Sequence, residues 1–308
     1  MDRKKKLLFI FNPHSGKAQI KGLLADIVDI MVKADYDVTV YSTQGPEDAT
    51  HKVEVCDGEY DLVVCSGGDG TLDEVVTGMM HCTKKVPLGY IPAGSTNDFA
   101  TSLGIPKDMV KAAVSAVHGL PFACDIGAFN EDYFVYVAAF GLFTEVSYTT
   151  SQEWKNVLGH AAYILEGVKR LHDIPSYLIQ VEYDNIRIQD EFIFGMITNS
   201  TSVGGFKGMT GKDVLLDDGA FEVTLIKKPH NPIELNEIIA SLIKLVDDTE
   251  MVYSFKTARV KFKSETAIPW TLDGEFGGEH TETVVENLYR SVEIMVEEPQ
   301  QNIEDTTQ

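Results

Sequence analysis

The chain has 308 residues and a formal net charge of −21, with 44% hydrophobic and 24% charged residues. This composition is that of an ordinary globular protein, and the length predicts two domains at roughly 150 residues each. The acidic balance excludes nucleic acid as a partner, and no apolar run approaches the roughly 20 residues that cross a bilayer. Because the N-terminal apolar run stops at Asn12 and the four cysteines are scattered, we expect a cytoplasmic protein with reduced thiols.

Strand and helix patterns alternate along the first 120 or so residues. The apolar run Leu7–Phe11 is typical of a strand buried on both faces of a parallel sheet. Apolar residues at helical spacing predict a helix over 18–34. Further strands are predicted over 38–41, 61–65 and 88–91, with helices after Pro46, over 72–80 and after the turn that follows residue 91. This order predicts an α/β domain with a doubly wound parallel sheet in residues 1–123.

The pattern changes after Asp125, where short strands separated by turn residues dominate. They are predicted over 133–139, 177–183, 186–197, 220–226, 252–255, 258–262 and 292–296. Helical segments over 151–171 and 233–246 interrupt them. We expect residues 124–296 to form a mainly antiparallel β-sandwich domain. The acidic tail, 297–308, is expected to be disordered or to return to the first domain.

The most informative motif is the glycine-rich turn Gly67-Gly68-Asp69-Gly70-Thr71, which follows the third predicted strand. Glycines allow close approach of the backbone to a ligand, and the free N–H groups of the following helix suit phosphate. Asp69 among these donors would repel phosphate unless Mg²⁺ or a metal-bound water lies between them. A structural turn is the alternative explanation for the same residues.

Two more strand ends carry small polar loops, at 12–17 and 92–99. Because the carboxyl ends of parallel strands share one edge of the sheet, these loops are expected to converge with the glycine turn. Neither GxxxxGK[ST] nor GxGxxG occurs, so a P-loop NTPase and a Rossmann dehydrogenase are not indicated. Asp98 is expected to be a helix N-cap rather than a catalytic group.

The blocks NPHSGK at 12–17, SGGDGTLDEVV at 66–76 and PAGSTNDFA at 92–100 resemble those of the diacylglycerol kinase catalytic-domain superfamily, which includes sphingosine and ceramide kinases. The resemblance is closest to the soluble bacterial lipid kinases and covers essentially the whole chain. GGDGT alone is shared with NAD kinases, whereas the third block is more specific to lipid kinases. One departure is Ser95, where the family usually has threonine.

The resemblance implies site residues in the second half of the chain. Glu275 corresponds to the proposed general base, and Asp217 to a partner of Asp69 and Glu275 in a water-linked metal network. A structural magnesium would be held by Asp218 and by the carbonyls of Leu215 and Ala220. From the residues alone, 217–219 would be a surface turn and 273–275 a hairpin turn.

The implied cofactors are ATP and Mg²⁺. The residues expected to bind ATP are Asn12, Pro13, Ser15, Gly16, Thr43, Gly67, Gly68, Asp69, Gly70, Thr71, Ser95 and Asn97. An apolar acceptor pocket is expected from Phe140, Phe143, Trp154, Leu158, Ile164 and Leu165, although ordinary core packing explains the same residues. Basic residues expected to contact lipid headgroups are Lys155, Lys169, Arg170, Lys17, Lys21 and the N-terminal lysines.

Together these features predict an ATP- and Mg²⁺-dependent lipid kinase that converts diacylglycerol to phosphatidic acid. It would contact the inner face of the membrane transiently, a contact that the net charge of −21 opposes. Dimerisation is a further expectation from bacterial relatives. The alternatives are a kinase for a long-chain base, ceramide or phosphatidylglycerol, an NAD kinase-like enzyme, and a non-catalytic nucleotide- or lipid-binding protein.

Overall fold

The computed structural model describes residues 3–142, 174–203, 206–207, 214–244 and 249–297. Strands and helices alternate in the first half, as predicted. They are β1 (Lys5–Phe11), α1 (Ile20–Lys33), β2 (Tyr36–Ser42), α2 (Asp48–Val55), β3 (Leu62–Gly67), α3 (Asp69–His81), β4 (Leu88–Pro92), α4 (Asp98–Ser102) and α5 (Met109–His118). Helix α3 begins earlier than expected, so that Asp69, Gly70 and Thr71 form its first turn.

The first four strands pair in parallel in the order β2-β1-β3-β4. The central strand β1 is apolar throughout its middle, and Leu7 to Ile10 are fully buried there. Helix α1 packs against α5, and α2 packs against α3. All four strands therefore present their carboxyl ends at one edge of the sheet.

Strands dominate the second half. The elements are β5 (Leu120–Phe129), β6 (Asp132–Phe134), β7 (Val137–Gly141), β8 (Tyr177–Tyr183), β9 (Ile186–Thr198), β10 (Ser202–Val203), β11 (Phe206–Lys207), β12 (Phe221–Lys227), α6 (Pro232–Lys244), β13 (Val252–Thr257), β14 (Arg259–Leu272) and β15 (Glu275–Val296). The strand predicted over 133–139 is divided in two, because Val135 and Tyr136 donate their N–H groups to the Asp273 side chain.

The pairing in this half is antiparallel, as predicted, but it is continuous with the parallel strands. Strand β15 pairs with β14 and β5, and near its end Ile294 lies parallel beside Leu88 of β4. One sheet of thirteen strands joins the two halves, and the sandwich arrangement of the second half stays a prediction. The doubly wound arrangement and the boundary at residue 123 stay predictions, and β5 runs through that boundary.

Buried side chains form two clusters, one around the parallel strands and α-helices and the other around Trp270. Phe140 belongs to the second cluster, where its ring centroid lies 4.8 Å from that of Trp270. Phe140 is therefore core, and the other predicted acceptor-pocket residues lie outside the described ranges. None of the helices in those ranges is long and apolar enough to span a bilayer.

Candidate functional site

A cleft of about 740 Å³ lies at the carboxyl ends of the parallel strands. One wall consists of the loops after β1, β2, β3 and β4. The other wall comes from the second half of the chain, through Tyr136 and Val137 and through the residues 273–276. The predicted site residues that line the cleft are Asn12, Ser15, Gly16, Thr43, Gly68, Asp69, Gly70, Thr71, Ser95 and Glu275.

Backbone hydrogen bonds hold the three predicted loops together. The Asn12 N–H donates to the Ser66 carbonyl at 2.9 Å, and the Ala93 N–H donates to the Gly67 carbonyl at 2.7 Å. The Gly68 N–H donates to Ser15 Oγ at 3.3 Å. The convergence of these loops, which the parallel order required, is confirmed.

Glycine permits the closest of these approaches. Gly16 has a φ of +53°, and a Cβ built there would lie 2.1 Å from the Ala93 carbonyl oxygen. A Cβ at Gly94 would lie 2.6 Å from the Gly68 Cα. Both obstacles are backbone atoms, which cannot move aside as a flexible side chain can. The loops therefore form a closely packed cradle of backbone groups.

We expect Gly16→Ala to destabilise the protein by about 1–3 kcal/mol, because alanine is strained at positive φ and meets the Ala93 carbonyl. The displaced loop should also raise the KM for a nucleotide bound in the cleft. Gly45 is the matched control, since it lines the same cleft but a Cβ there meets nothing within 4 Å. Thermal unfolding and nucleotide titration of both variants measure the effect, and equal behaviour of the two would contradict it.

Asp69 lies in the first turn of α3, where the sequence predicted a ligand site. Its carboxylate accepts backbone N–H groups of Asn97 and Asp98, and its buried Oδ1 has no hydrogen-bond partner in the described part of the chain. Burial, with the nearby charges of Asp98 and Asp273, raises the pKa of Asp69 to about 7. The unpartnered oxygen and the crowding of carboxylates favour a cation at this position.

The loop after β4 is also held by an amide side chain, that of Asn97. Asn97, with a φ of +53°, is the N-cap of α4, so the assignment of Asp98 to that role is wrong. Asn97 Oδ1 accepts the Gly94 N–H and its Nδ2 donates to the Gly94 carbonyl, each at 2.9 Å. Its amide is thus used to shape the loop, while Asp98, 2% exposed, lines the cleft.

The second wall is a tight hairpin between β14 and β15. Asp273 and Gly274 have φ angles of +49° and +91°, and Leu272 pairs with Glu275 across the turn. The hairpin-turn interpretation is therefore confirmed, and the turn also lines the cleft. Glu275 lies over α3, since a Cβ on Gly70 would be 3.0 Å from Glu275 Oε1.

The predicted site residues in and beside Asp217-Asp218-Gly219, here called the Asp-Asp-Gly block, do not line this cleft. Asp217 forms an ion pair with Arg290 at 2.8 Å. The Asp218 carboxylate accepts the Ala220 N–H at 3.1 Å and pairs with Lys256 at 2.9 Å. Both Asp218 oxygens have partners in this structure. The predicted structural magnesium and the network from Asp69 to Asp217 stay predictions.

Sequence reasoning missed a buried carboxylate behind this block. Asp125 is fully buried and accepts the backbone N–H groups of Gly219 and Arg290, each at 2.7 Å, and the Asn287 amide at 3.2 Å. It fixes the turn of the Asp-Asp-Gly block against β15. No local signal marks Asp125, because its donors lie 94 to 165 residues away.

Other residues depart from the predicted set. Pro13, Gly67 and Asn97 lie behind the cleft surface rather than on it. Lining residues that the sequence did not single out are His14, Gln44, Gly45, Pro46, Glu74, Gly94, Thr96, Tyr136, Val137, Asp273, Gly274 and Phe276. His14, Glu74, Gly94 and Thr96 lie inside the three recognised blocks, and Asp273 and Gly274 lie inside the predicted hairpin turn, whereas Tyr136 and Val137 carry no local signal.

The described residues contain no group of three acidic, histidine or cysteine side chains placed to hold a metal ion by themselves. Magnesium is usually bound by one or two carboxylates together with substrate phosphates and water. The unpartnered Oδ1 of Asp69 beside Asp98 fits that kind of shared site. The cleft thus offers a backbone cradle for phosphates with carboxylates at its edge.

Comparisons with known proteins agree with this geometry. The sequence profile of the diacylglycerol kinase catalytic domain matches residues 6–129. The chain is 35% identical over 296 residues to the diacylglycerol kinase of Bacillus subtilis (strain 168), covering 95% of this chain and 96% of that protein. It is 33% identical to the diacylglycerol kinase of Staphylococcus carnosus (strain TM300), with 98% of both chains covered.

A crystal structure of a protein from Bacillus anthracis str. Sterne has the same fold. It superposes with a TM-score of 0.82 at 23% identity, covering 97% of this chain and 99% of that one. The two-domain architecture with a strand-rich second domain is therefore confirmed.

Proposed function

Because this chain belongs to the diacylglycerol kinase family, we propose that it transfers the γ-phosphate of ATP to the free hydroxyl of diacylglycerol and releases phosphatidic acid. The family makes it a lipid kinase with ATP as its phosphate donor. The single observation that carries the proposal is the position of Glu275 over Gly70, which brings a carboxylate to the cradle of backbone N–H groups.

Phosphoryl transfer depends on positioning and charge neutralisation more than on covalent help from the protein. The first turn of α3 and the loop at 94–96 would hold the phosphates through N–H and hydroxyl groups, among them Thr71 and Ser95. Asn12 and Thr43 line the part of the cleft assigned to the nucleoside. Glu275 would accept the proton of the attacking hydroxyl, which requires that hydroxyl to lie within hydrogen-bond distance.

Magnesium belongs to the proposal and would be held by Asp69 together with the phosphates of ATP. When bound, it would neutralise the charge that develops on the transferred group. The protein's own contribution is the buried Asp69 oxygen, which lacks a partner in the described residues and belongs to a side chain that lines the cleft.

Transient contact with the inner face of a membrane is also part of the proposal, as is dimerisation. Lys17 and Lys21 support the membrane contact, since both are exposed and follow β1 on the side of the cleft. The N-terminal lysines precede or begin β1, about 20 Å away at the opposite end of the strand. They are therefore poorly placed to help a lipid enter the cleft.

A radiolabelled-ATP assay tests the function. Purified protein is incubated with Mg²⁺ and mixed micelles that contain diacylglycerol, a long-chain base, ceramide or phosphatidylglycerol, with NAD in a separate arm. We expect label in phosphatidic acid, and none when Mg²⁺ is omitted. Label in another lipid would show that diacylglycerol is not the acceptor. Label in NAD would show an NAD kinase-like activity, and no label in any arm would overturn the proposed function. Repeating the assay on anionic vesicles at rising salt tests electrostatic docking.

A further inference from the structure

Asp73 has no role in the mechanism above, although this residue of α3 lies against the turn that carries Glu275. Resting on the proposed kinase function, we propose that Asp73 is a positioning residue: as a neutral acid it donates a hydrogen bond to Asp273 and so holds Glu275 over Gly70. The spacing along α3, the partners of Asp273 and the burial of Asp73 support this role.

The spacing places two contacts on one face of the helix. Gly70 and Asp73 are three residues apart on α3, so they are neighbours on the same face. Gly70 lies beneath the Glu275 carboxylate, and the Asp73 side chain is hydrogen-bonded to Asp273. The Asp73–Asp273 hydrogen bond thus ties the turn of the hairpin to α3, and Glu275 lies over the same face of that helix.

The partners of Asp273 determine which carboxyl carries the shared proton. Asp273 Oδ2 accepts the Val135 N–H at 2.5 Å, and its Oδ1 accepts those of Tyr136 at 3.0 Å and Val137 at 2.9 Å. Three N–H donors favour the ionised form of a carboxyl group. Two buried carboxyls can share a hydrogen bond only if one is protonated, so Asp73 is the donor.

The surroundings of Asp73 also favour its protonated form. Its Oδ1 is buried and has no hydrogen-bond partner among the described residues, a state that is costly for an ionised group. Burial raises the pKa of Asp73 well above its usual range, and the charges of Asp273, Asp132 and Glu275 act in the same direction. These groups come from the hairpin turn, β6 and β15, and all of them are acids.

Glu275 needs such support because its own surroundings do not fix it. It is exposed and begins β15, directly after two residues with positive φ. The N–H groups of 135–137 anchor Asp273 to the β6–β7 loop and the start of β7. A tie to α3 is what relates the turn to the phosphate cradle. Asp73 supplies that tie as a side-chain hydrogen bond.

Two substitutions separate positioning from a general structural role. Asp73→Asn keeps a donor for Asp273 without ionising, whereas Asp73→Ala removes it. For Asp73→Ala we expect kcat to fall by about 100-fold with an unchanged KM for ATP, as for a misplaced catalytic group. The kcat of Asp73→Asn should stay within a few-fold of the wild-type value. The exposed Asp26 of α1 gives the matched control through Asp26→Ala.

A double-mutant cycle adds a readout that a purely structural role would not move. In a Glu275→Gln background, Asp73→Ala should cost little further kcat, because the residue acts through Glu275. Full additivity, or an equal loss in Asp73→Asn and Asp73→Ala, would overturn the proposal.

Hydrogen exchange tests the same tie without kinase activity. Peptides covering 270–280 should exchange faster in Asp73→Ala than in Asp73→Asn or the wild type, and unchanged exchange would contradict the assignment. This measurement does not depend on the proposed kinase function. If the wild type did not phosphorylate diacylglycerol, the proposed function would be wrong, but hydrogen exchange would still test the role of Asp73.

Discussion

Replacing Glu275 with glutamine is expected to lower kcat by about 10²- to 10⁴-fold, the usual contribution of a general base. Glutamine keeps the size and the hydrogen-bonding reach of the side chain but cannot accept the proton of the acceptor hydroxyl. The KM for ATP should stay unchanged, since Glu275 belongs to the hairpin wall and not to the phosphate cradle. Steady-state kinetics on diacylglycerol micelles and nucleotide titration measure the two quantities.

Glu74 is the other glutamate that lines the cleft, and its geometry makes it a weaker candidate for the base. Its Oε2 accepts the Ala49 N–H at 3.1 Å, which ties it to the start of α2. The matched control is Glu279→Gln, an exposed position on the same strand as Glu275. Wild-type turnover in Glu275→Gln, or an equal loss in Glu279→Gln, would remove Glu275 from the role.

The parallel half of the fold was predictable because its signals are local. A strand buried on both faces is a continuous apolar run, so that Leu7–Phe11 marks β1 directly. Polar loops at successive strand ends meet at one edge in any parallel sheet, which brought 12–17 and 92–99 to the glycine turn. These predictions needed only the pattern of apolar residues along the chain and the rule that parallel strands end at the same edge of a sheet.

The antiparallel half was less predictable because its longest strands have one polar face. Strand β15 spans 22 residues, but every residue at 279–283 is polar, and only the apolar end at 292–296 is predicted from the sequence. Strand β14 was recognised only over 258–262 for the same reason. The continuity of the sheet therefore could not be seen from apolar runs.

Charged residues were the least predictable part of the site, because their roles depend on distant partners. The family resemblance implies that Asp217 belongs to a catalytic network. In the fold, however, Asp217 is paired with Arg290, 73 residues away. Asp73 lies inside a recognised block and yet looks like an ordinary helical residue. Only the fold shows that Asp273, 200 residues later, shares a hydrogen bond with it.

Asp69→Asn is expected to abolish Mg²⁺-dependent turnover while it stabilises the nucleotide-free protein above neutral pH. Loss of turnover should be at least about 100-fold, because metal-held charge stabilisation is worth several kcal/mol. The effect on stability follows from the pKa of Asp69, which burial and the neighbouring Asp98 and Asp273 raise from 3.8 to about 7. Between these values the folded protein binds a proton that the unfolded chain releases.

The wild-type free energy of unfolding should therefore fall as pH rises from about 4 to about 7, by at most about 4 kcal/mol from this group. In Asp69→Asn this part of the pH dependence disappears, and its stability should exceed that of the wild type at pH 8 but match it below pH 4. Urea unfolding at several pH values measures the free energy of unfolding of both proteins. Asp37→Asn, at an exposed position, is the control. A less stable Asp69→Asn protein at pH 8 would show that the carboxylate is compensated in the fold, and so would remove the argument for a cation beside it.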